Sequence, residues 1–219
     1  MMKRNKGTLL LTSIVIVIPM LIGLALWNRL PEQIPSHWNI DGEIDGWSGK
    51  GFAVFFFPAL LLCIHWLCVL ASCLDAGSKN YHPKMIRLVL WICPVLSLAL
   101  SSLMYAVALG YGVKVELIMP LLVGLMFLIV GNLLPKCRQS KTLGIKLPWT
   151  LKNEENWNKT HRFGGRLWAI GGVIIMATAF LGSFWLLLHI LAVMVIAPTL
   201  YSYLYYRKQK NDPKQDEVA

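Results

Sequence analysis

Residues 52–74 read FAVFFFPALLLCIHWLCVLASCL, a run without a single Asp, Glu, Lys or Arg. A helix of about 20 apolar residues covers the ~30 Å hydrocarbon core of a bilayer. In lipid every backbone polar group must be satisfied within its own segment, so such a run predicts a spanning helix and not a strand. Working outward from it, five more stretches have the same character: 8–27, 88–109, 117–134, 164–181 (uncharged over Leu167–Leu181) and 184–206. The titratable bases inside the uncharged runs are His65 and His189. Hydrophobic residues make up 56% of the chain and charged residues 15%, too apolar for a soluble domain of this size.

The expectation is an all-α integral membrane protein, a six-transmembrane-helix bundle forming one membrane domain over 1–219, with an outward loop at 28–51 and an inward loop at 135–163. Six spans and their connections use nearly all of the 219 residues, and no internal repeat is visible. Lys and Arg orient it. With the N-terminus inside, the cytoplasmic segments hold Lys3, Arg4 and Lys6, then Lys79, Lys84 and Arg87. The inward loop and its border add Lys136, Arg138, Lys141, Lys146, Lys152, Lys159, Arg162 and Arg166, and the tail adds Arg207, Lys208, Lys210 and Lys214. Only Arg29, Lys50 and Lys114 fall outside. That asymmetry predicts both termini in the cytoplasm. It also accounts for most of the +10 net charge, which favours an anionic inner leaflet and not direct nucleic-acid binding.

The first span follows a basic segment, but Leu26-Trp27-Asn28 offers no small-residue cleavage site, so an uncleaved anchor is expected. Cys63, Cys68, Cys73, Cys93 and Cys137 have no CxxC spacing and none lies in an outward loop; they read as apolar packing residues. Pro19, Pro58, Pro94, Pro120 and Pro198 each remove a backbone donor inside a span and predict kinks.

The outward loop contains LPEQIPSHWNIDGEIDGWSGK at 30–50. Pro31 and Pro35 favour an extended entry. Asp41-Gly42 and Asp45-Gly46 predict two tight turns, and Trp38 and Trp47 suit the membrane–water boundary. The loop should form a compact cap. His37, Asp41, Glu43 and Asp45 have donor types that suit a metal, although no spacing matches a defined site; local turn hydrogen bonds are the simpler reading.

The inward loop contains KTLGIKLPWTLKNEENWNKTHRFGGR at 141–166. Asn153 is a predicted helix N-cap, with Glu154 and Glu155 in the favoured first turn. Trp157, Thr160 and His161 share one helical face. The expectation is a short amphipathic helix on the inner surface with Trp149 and Trp157 dipping into the membrane, or else a docking platform for a cytoplasmic partner. Asn158-Lys159-Thr160 matches a glycosylation sequon that is silent on the cytoplasmic side.

The pattern Leu30-Pro31-x-x-Ile34-Pro35-x-His37-Trp38-Asn39, followed by Gly42-x-x-Asp45-Gly46-Trp47, resembles a domain of unknown function found in many bacterial membrane proteins. The pattern Leu143-Gly144-Ile145-Lys146-Leu147-Pro148-Trp149-Thr150-Leu151, then Trp157 and Thr160-His161-Arg162, resembles the SdpI family, six-span immunity proteins against a secreted peptide toxin of sporulating bacilli. Where that family often reads Arg-Thr this chain has Lys146-Leu147, a point-charge ammonium in place of a bidentate guanidinium.

The resemblance implies protection from an extracellular peptide toxin, with a second role in recruiting a cytoplasmic transcriptional repressor. It places toxin contacts at His37, Trp38, Asp41, Asp45 and Trp47, and partner contacts at Pro148, Trp149, Thr150, Trp157, His161 and Arg162. No cofactor is implied. Two other classes remain open. A membrane-embedded metal-dependent hydrolase would draw on His65 and His189, yet the chain has no HExxH, no GxSxG and no other catalytic motif. His65 reads equally as a neutral imidazole bonded to a carbonyl. A small-solute transporter would gain from the kinks, but inverted repeats and charged midplane residues are missing.

Overall fold

The computed structural model describes residues 5–39, 42–75, 81–181 and 184–211. Six α-helices run in chain order: α1 (Lys6–Ala25), α2 (Phe57–Leu74), α3 (Pro83–Ala108), α4 (Val115–Leu133), α5 (Glu154–Thr178) and α6 (Phe184–Lys210). A π-helical turn, Phe52–Phe56, leads into α2, and a 3-10 turn, Leu134–Lys136, follows α4. Five helical segments are long and apolar enough to cross a membrane: Lys6–Ala25, Phe52–Leu74, Pro83–Ala108, Val115–Lys136 and Trp185–Lys210. α5 is not among them because its first half carries Glu154, Glu155, Lys159, Arg162 and Arg166.

The spans are apolar on the outside and polar within. Thr12, His65, Ser72, Ser97 and Ser101 have no solvent exposure, while Leu10, Leu11, Leu67 and Val95 are exposed. This is the reverse of a soluble helix, and it fits a hydrocarbon solvent in which small polar residues face the neighbouring helix.

The chain divides into two compact units, Met1–Leu74 with Pro83–Ile118, and Asp75–His82 with Met119–Ala219. In the first unit, Pro19 opens the middle of α1, and α3 supplies donors to the carbonyls there. Ser97 Oγ donates to Ile16 O (2.9 Å) and Tyr105 OH donates to Pro19 O (3.1 Å), both buried. A Cβ on Gly23 would lie 2.7 Å from the Tyr105 hydroxyl, so only glycine admits that tyrosine. His65 is fully buried, and its partner is the Thr12 hydroxyl (3.2 Å), not the carbonyl expected from the sequence. Thr12 spends its own proton on Leu9 O (3.0 Å), so it accepts from His65 Nε2–H.

The outward loop departs from an all-α fold. β1 (Gln33–Trp38) and β2 (Ile44–Gly49) form an antiparallel hairpin. One reversal suffices, at Gly42 with φ +80°, so Asp45-Gly46 lies inside β2 and makes no second turn.

In the second unit α4 and α5 meet through two glycine pairs. A Cβ on Gly124 would stand 2.5 Å from Gly172 O, and one on Gly165 would stand 2.7 Å from Gly131 O. Such backbone-to-backbone approach is how membrane helices gain packing without a hydrophobic driving force. α5 runs unbroken through residues 154–178, where the sequence predicts a surface helix separate from a span starting at 164. Gly164 and Gly165 lower helix propensity, but both are buried against neighbouring residues, and packing carries the helix through them.

Candidate functional site

The hairpin presents one set of predicted residues. Its base is anchored: Ile34 has no exposure and joins Leu30, Ala53, Val54, Met104 and Tyr105 in a core, with Trp38 packed at the margin. Lys50, which the sequence offered only as a topological count, is buried beneath it. Its ammonium donates to Trp27 O (3.1 Å) and Leu30 O (3.1 Å), pairs with Glu32 (2.8 Å) and lies 4.9 Å from the centre of the Trp27 ring. A buried ammonium persists only when its donors are used in this way. On the open face, His37 Nδ1 lies 2.6 Å from Asp45 Oδ1, with 72% and 43% of the side chains exposed. Trp47 is 56% exposed. Gly46 allows the pair to form, since a Cβ there would be 2.7 Å from His37 Cβ. Asn39 makes local turn bonds instead: its Oδ1 accepts from Glu43 N–H (2.9 Å). Asp41 lies outside the described residues, and among those residues no three His, Cys, Asp or Glu side chains gather as a metal site would need.

The second set is an interlocked core around residues 137–161. Trp157, Thr160 and His161 do share one face of α5, and all three are buried. The expectation that Trp157 dips into the membrane is therefore corrected: its indole is inside the protein, donating to Cys137 O (2.8 Å) and stacked on His161 with ring centres 4.0 Å apart. His161 Nδ1–H donates to Trp157 O (2.8 Å), which leaves Nε2 to accept from Ile145 N–H (2.9 Å). This tautomer is neutral at both contacts, and burial pushes the imidazole down to about 4. Gly144 closes over it with φ +111°; a Cβ there would stand 2.5 Å from His161 Nε2.

Thr150 plays a parallel part, fully buried, with Oγ1 accepting from Leu147 N–H (2.9 Å). Trp149 is half-buried on α6, its Nε1–H donating to Ser202 Oγ (2.7 Å) and its ring near Tyr203 and Tyr206. Asn156 completes the network: Nδ2 donates to Ser202 O (3.0 Å), and Oδ1 accepts from Ser202 Oγ (2.8 Å) and Thr160 Oγ1 (3.0 Å). Asn153 is the predicted cap, its Oδ1 accepting from Asn156 N–H (2.8 Å). The Cys137 thiol is pushed up to about 12 by burial, so it is an inert packing group. Of the predicted partner contacts, only Pro148 and Arg162 are freely exposed. An open depression of about 540 Å³ is lined by Arg138, Gln139, Glu154 and Asn158.

Sequence reasoning missed Asp75, Lys50, Asn156 and Ser202. Asp75 Oδ2 accepts from the N–H groups of Lys141 (3.0 Å) and Thr142 (2.9 Å) and from Tyr81 OH (2.9 Å), tying the loop's start. Its signal was present: it is an isolated carboxylate directly after a span.

Comparison with known proteins matches both regions. Residues 136–202 match the model described as the SdpI/YfhL protein family, and residues 14–62 match a domain of unknown function, DUF1648. The two segments therefore contain the interlocked loop and the hairpin. With five membrane-length apolar helices, the chain is a multi-pass bacterial membrane protein. Over residues 136–202 it is similar to the SdpI family. Over 210 residues it is 29% identical to the Immunity protein SdpI of Bacillus subtilis (strain 168), covering 94% of this chain and 98% of that relative. No solved structure matches it.

Proposed function

We propose that this protein confers immunity to a secreted peptide toxin, which it meets outside the cell through the 33–49 hairpin. The observation that carries the reading is similarity along nearly the whole chain to an immunity protein. In the proposed topology α5 crosses the membrane as a sixth span, with its polar first half at the inner surface, and both termini are cytoplasmic. Glycine packing of α5 on α4 supports that crossing, and the Lys and Arg asymmetry supports the orientation. His37, Trp38, Asp45 and Trp47 are the proposed toxin contacts, with Asp41 beside them in sequence.

On the cytoplasmic side the proposed partner is a transcriptional repressor. Its docking surface would use Pro148 and Arg162 directly. Trp149, Thr150, Trp157 and His161 would hold the surface in shape. Signalling then requires two states with different affinities for toxin and repressor.

The test is survival of a toxin-sensitive bacterium expressing the chain, challenged with the family's peptide toxin beside an empty-vector control. Protection is expected. Equal killing, with membrane insertion verified, refutes the immunity reading. A reporter fused after Ala219 that is active only outside the cell refutes the topology.

A further inference from the structure

The hairpin leaves one strand edge open and closes the other, and the two edges can be told apart by backbone parity. Lys50 N–H donates to Glu32 O (2.9 Å), and Ile34 pairs with Ser48. In an antiparallel ladder the inward and outward groups alternate. Glu32, Ile34, Ser48 and Lys50 therefore turn their backbone groups toward each other, and Gln33, Pro35, Trp47 and Gly49 turn theirs away. On the β1 edge the outward position at Pro35 has no N–H to give, which is how natural sheets blunt an edge. β1 is also packed down through Ile34 on Met104 and Tyr105. β2 contains no proline. Among the described residues, no backbone hydrogen bond from another element reaches residues 44–49.

We propose that an extended segment of the toxin binds by adding a strand to the β2 edge, placing a cationic side chain against Asp45 and Glu43 and an apolar one against Trp47. This rests on the immunity reading and specifies its chemistry. Charge complementarity favours a cationic peptide. The chain is strongly basic overall, yet the exposed carboxylates flanking this edge are Glu43 and Asp45, the latter in contact with His37, and Glu116 reaches the hairpin tip at Gly42. Lys50 does not offset them, being buried and committed to Glu32 and two carbonyls. Main-chain bonds would supply affinity and the Trp47 and Asp45 side chains selectivity, the usual division in strand addition.

The test uses the full-length protein in lipid nanodiscs and the family's peptide toxin carrying backbone 13C=O labels. Isotope-edited infrared spectra of the bound toxin are expected to show coupled β-strand amide bands. A helical or unordered bound toxin overturns the proposal while leaving immunity standing. Absence of any binding to the wild-type protein brings down the immunity reading and this inference together. Two variants sharpen the result. Trp47→Ala removes the side chain only, whereas Trp47→Pro also removes the outward N–H without touching the ladder. The proline variant should bind about 10-fold more weakly than the alanine variant, the worth of one hydrogen bond. Equal affinities overturn strand addition. Hydrogen exchange at the Ser48 and Lys50 amides reports whether the hairpin persists; if it does not, the infrared result decides.

Discussion

The 33–49 hairpin and the 137–161 loop are both rich in Trp, His and polar residues, yet they use them in opposite ways. In the loop, Trp157, His161, Thr150 and Asn156 are buried and hydrogen-bonded to backbone or to one another. In the hairpin, His37, Asp45 and Trp47 are exposed, and the buried work is done by Ile34 and Lys50. Signature residues are therefore not all surface residues. Those in the loop specify a shape, because a buried polar group left unpaired costs about 1–3 kcal/mol. In the hairpin, His37, Asp45 and Trp47 have little role in stability and are free for recognition.

The sharpest way to break this contrast is at Gly144. A Gly144→Val substitution forces a β-branched residue to φ +111° and into the His161 and Trp157 rings. It should destabilise the second unit by on the order of 4 kcal/mol. Denaturant titration of the purified protein measures this, and a near-neutral result removes the claim that the loop is interlocked.

A second effect comes from pH. The folded His161 value of about 4 lies below the unfolded 6.5. Protons then favour the unfolded state, and stability is full above pH 6.5 and falls as pH drops from 6.5 to 4. The fall should approach about 3 kcal/mol. His161→Gln should flatten that slope; a slope unchanged by the substitution assigns it to other groups.

Trp157→Phe keeps an aromatic ring but loses the bond to Cys137 O and some buried volume, and should cost at least about 1–2 kcal/mol. At the other extreme, Asp45→Asn removes an exposed pair whose contribution to stability is about 0–1 kcal/mol. Its thermal midpoint should stay within error of wild type while protection from toxin declines. A destabilised Asp45→Asn protein with unimpaired protection would reverse the roles of the two regions.

Much of this was legible in the sequence. Charge-free runs located five membrane-length helices, because a hydrocarbon solvent imposes length and polarity together. The Asn153 cap and the shared face of Trp157, Thr160 and His161 followed from helical spacing. What helical spacing could not reveal was which solvent that face meets: amphipathicity is the same whether Trp157 enters lipid or protein. The hairpin was hidden because Asp-Gly pairs signal turns, and in β2 Asp45-Gly46 serves cross-strand packing against His37. Long-range partners such as Thr12 for His65 and Ser202 for Asn156 leave no local pattern.

The most direct test of the account is toxin challenge of cells carrying wild type, Asp45→Lys or Arg162→Ala at matched amounts of folded membrane protein. Asp45→Lys is expected to lose protection, while Arg162→Ala is expected to keep it and lose only the proposed repressor recruitment. Full protection by Asp45→Lys would contradict the hairpin as the surface that meets the toxin.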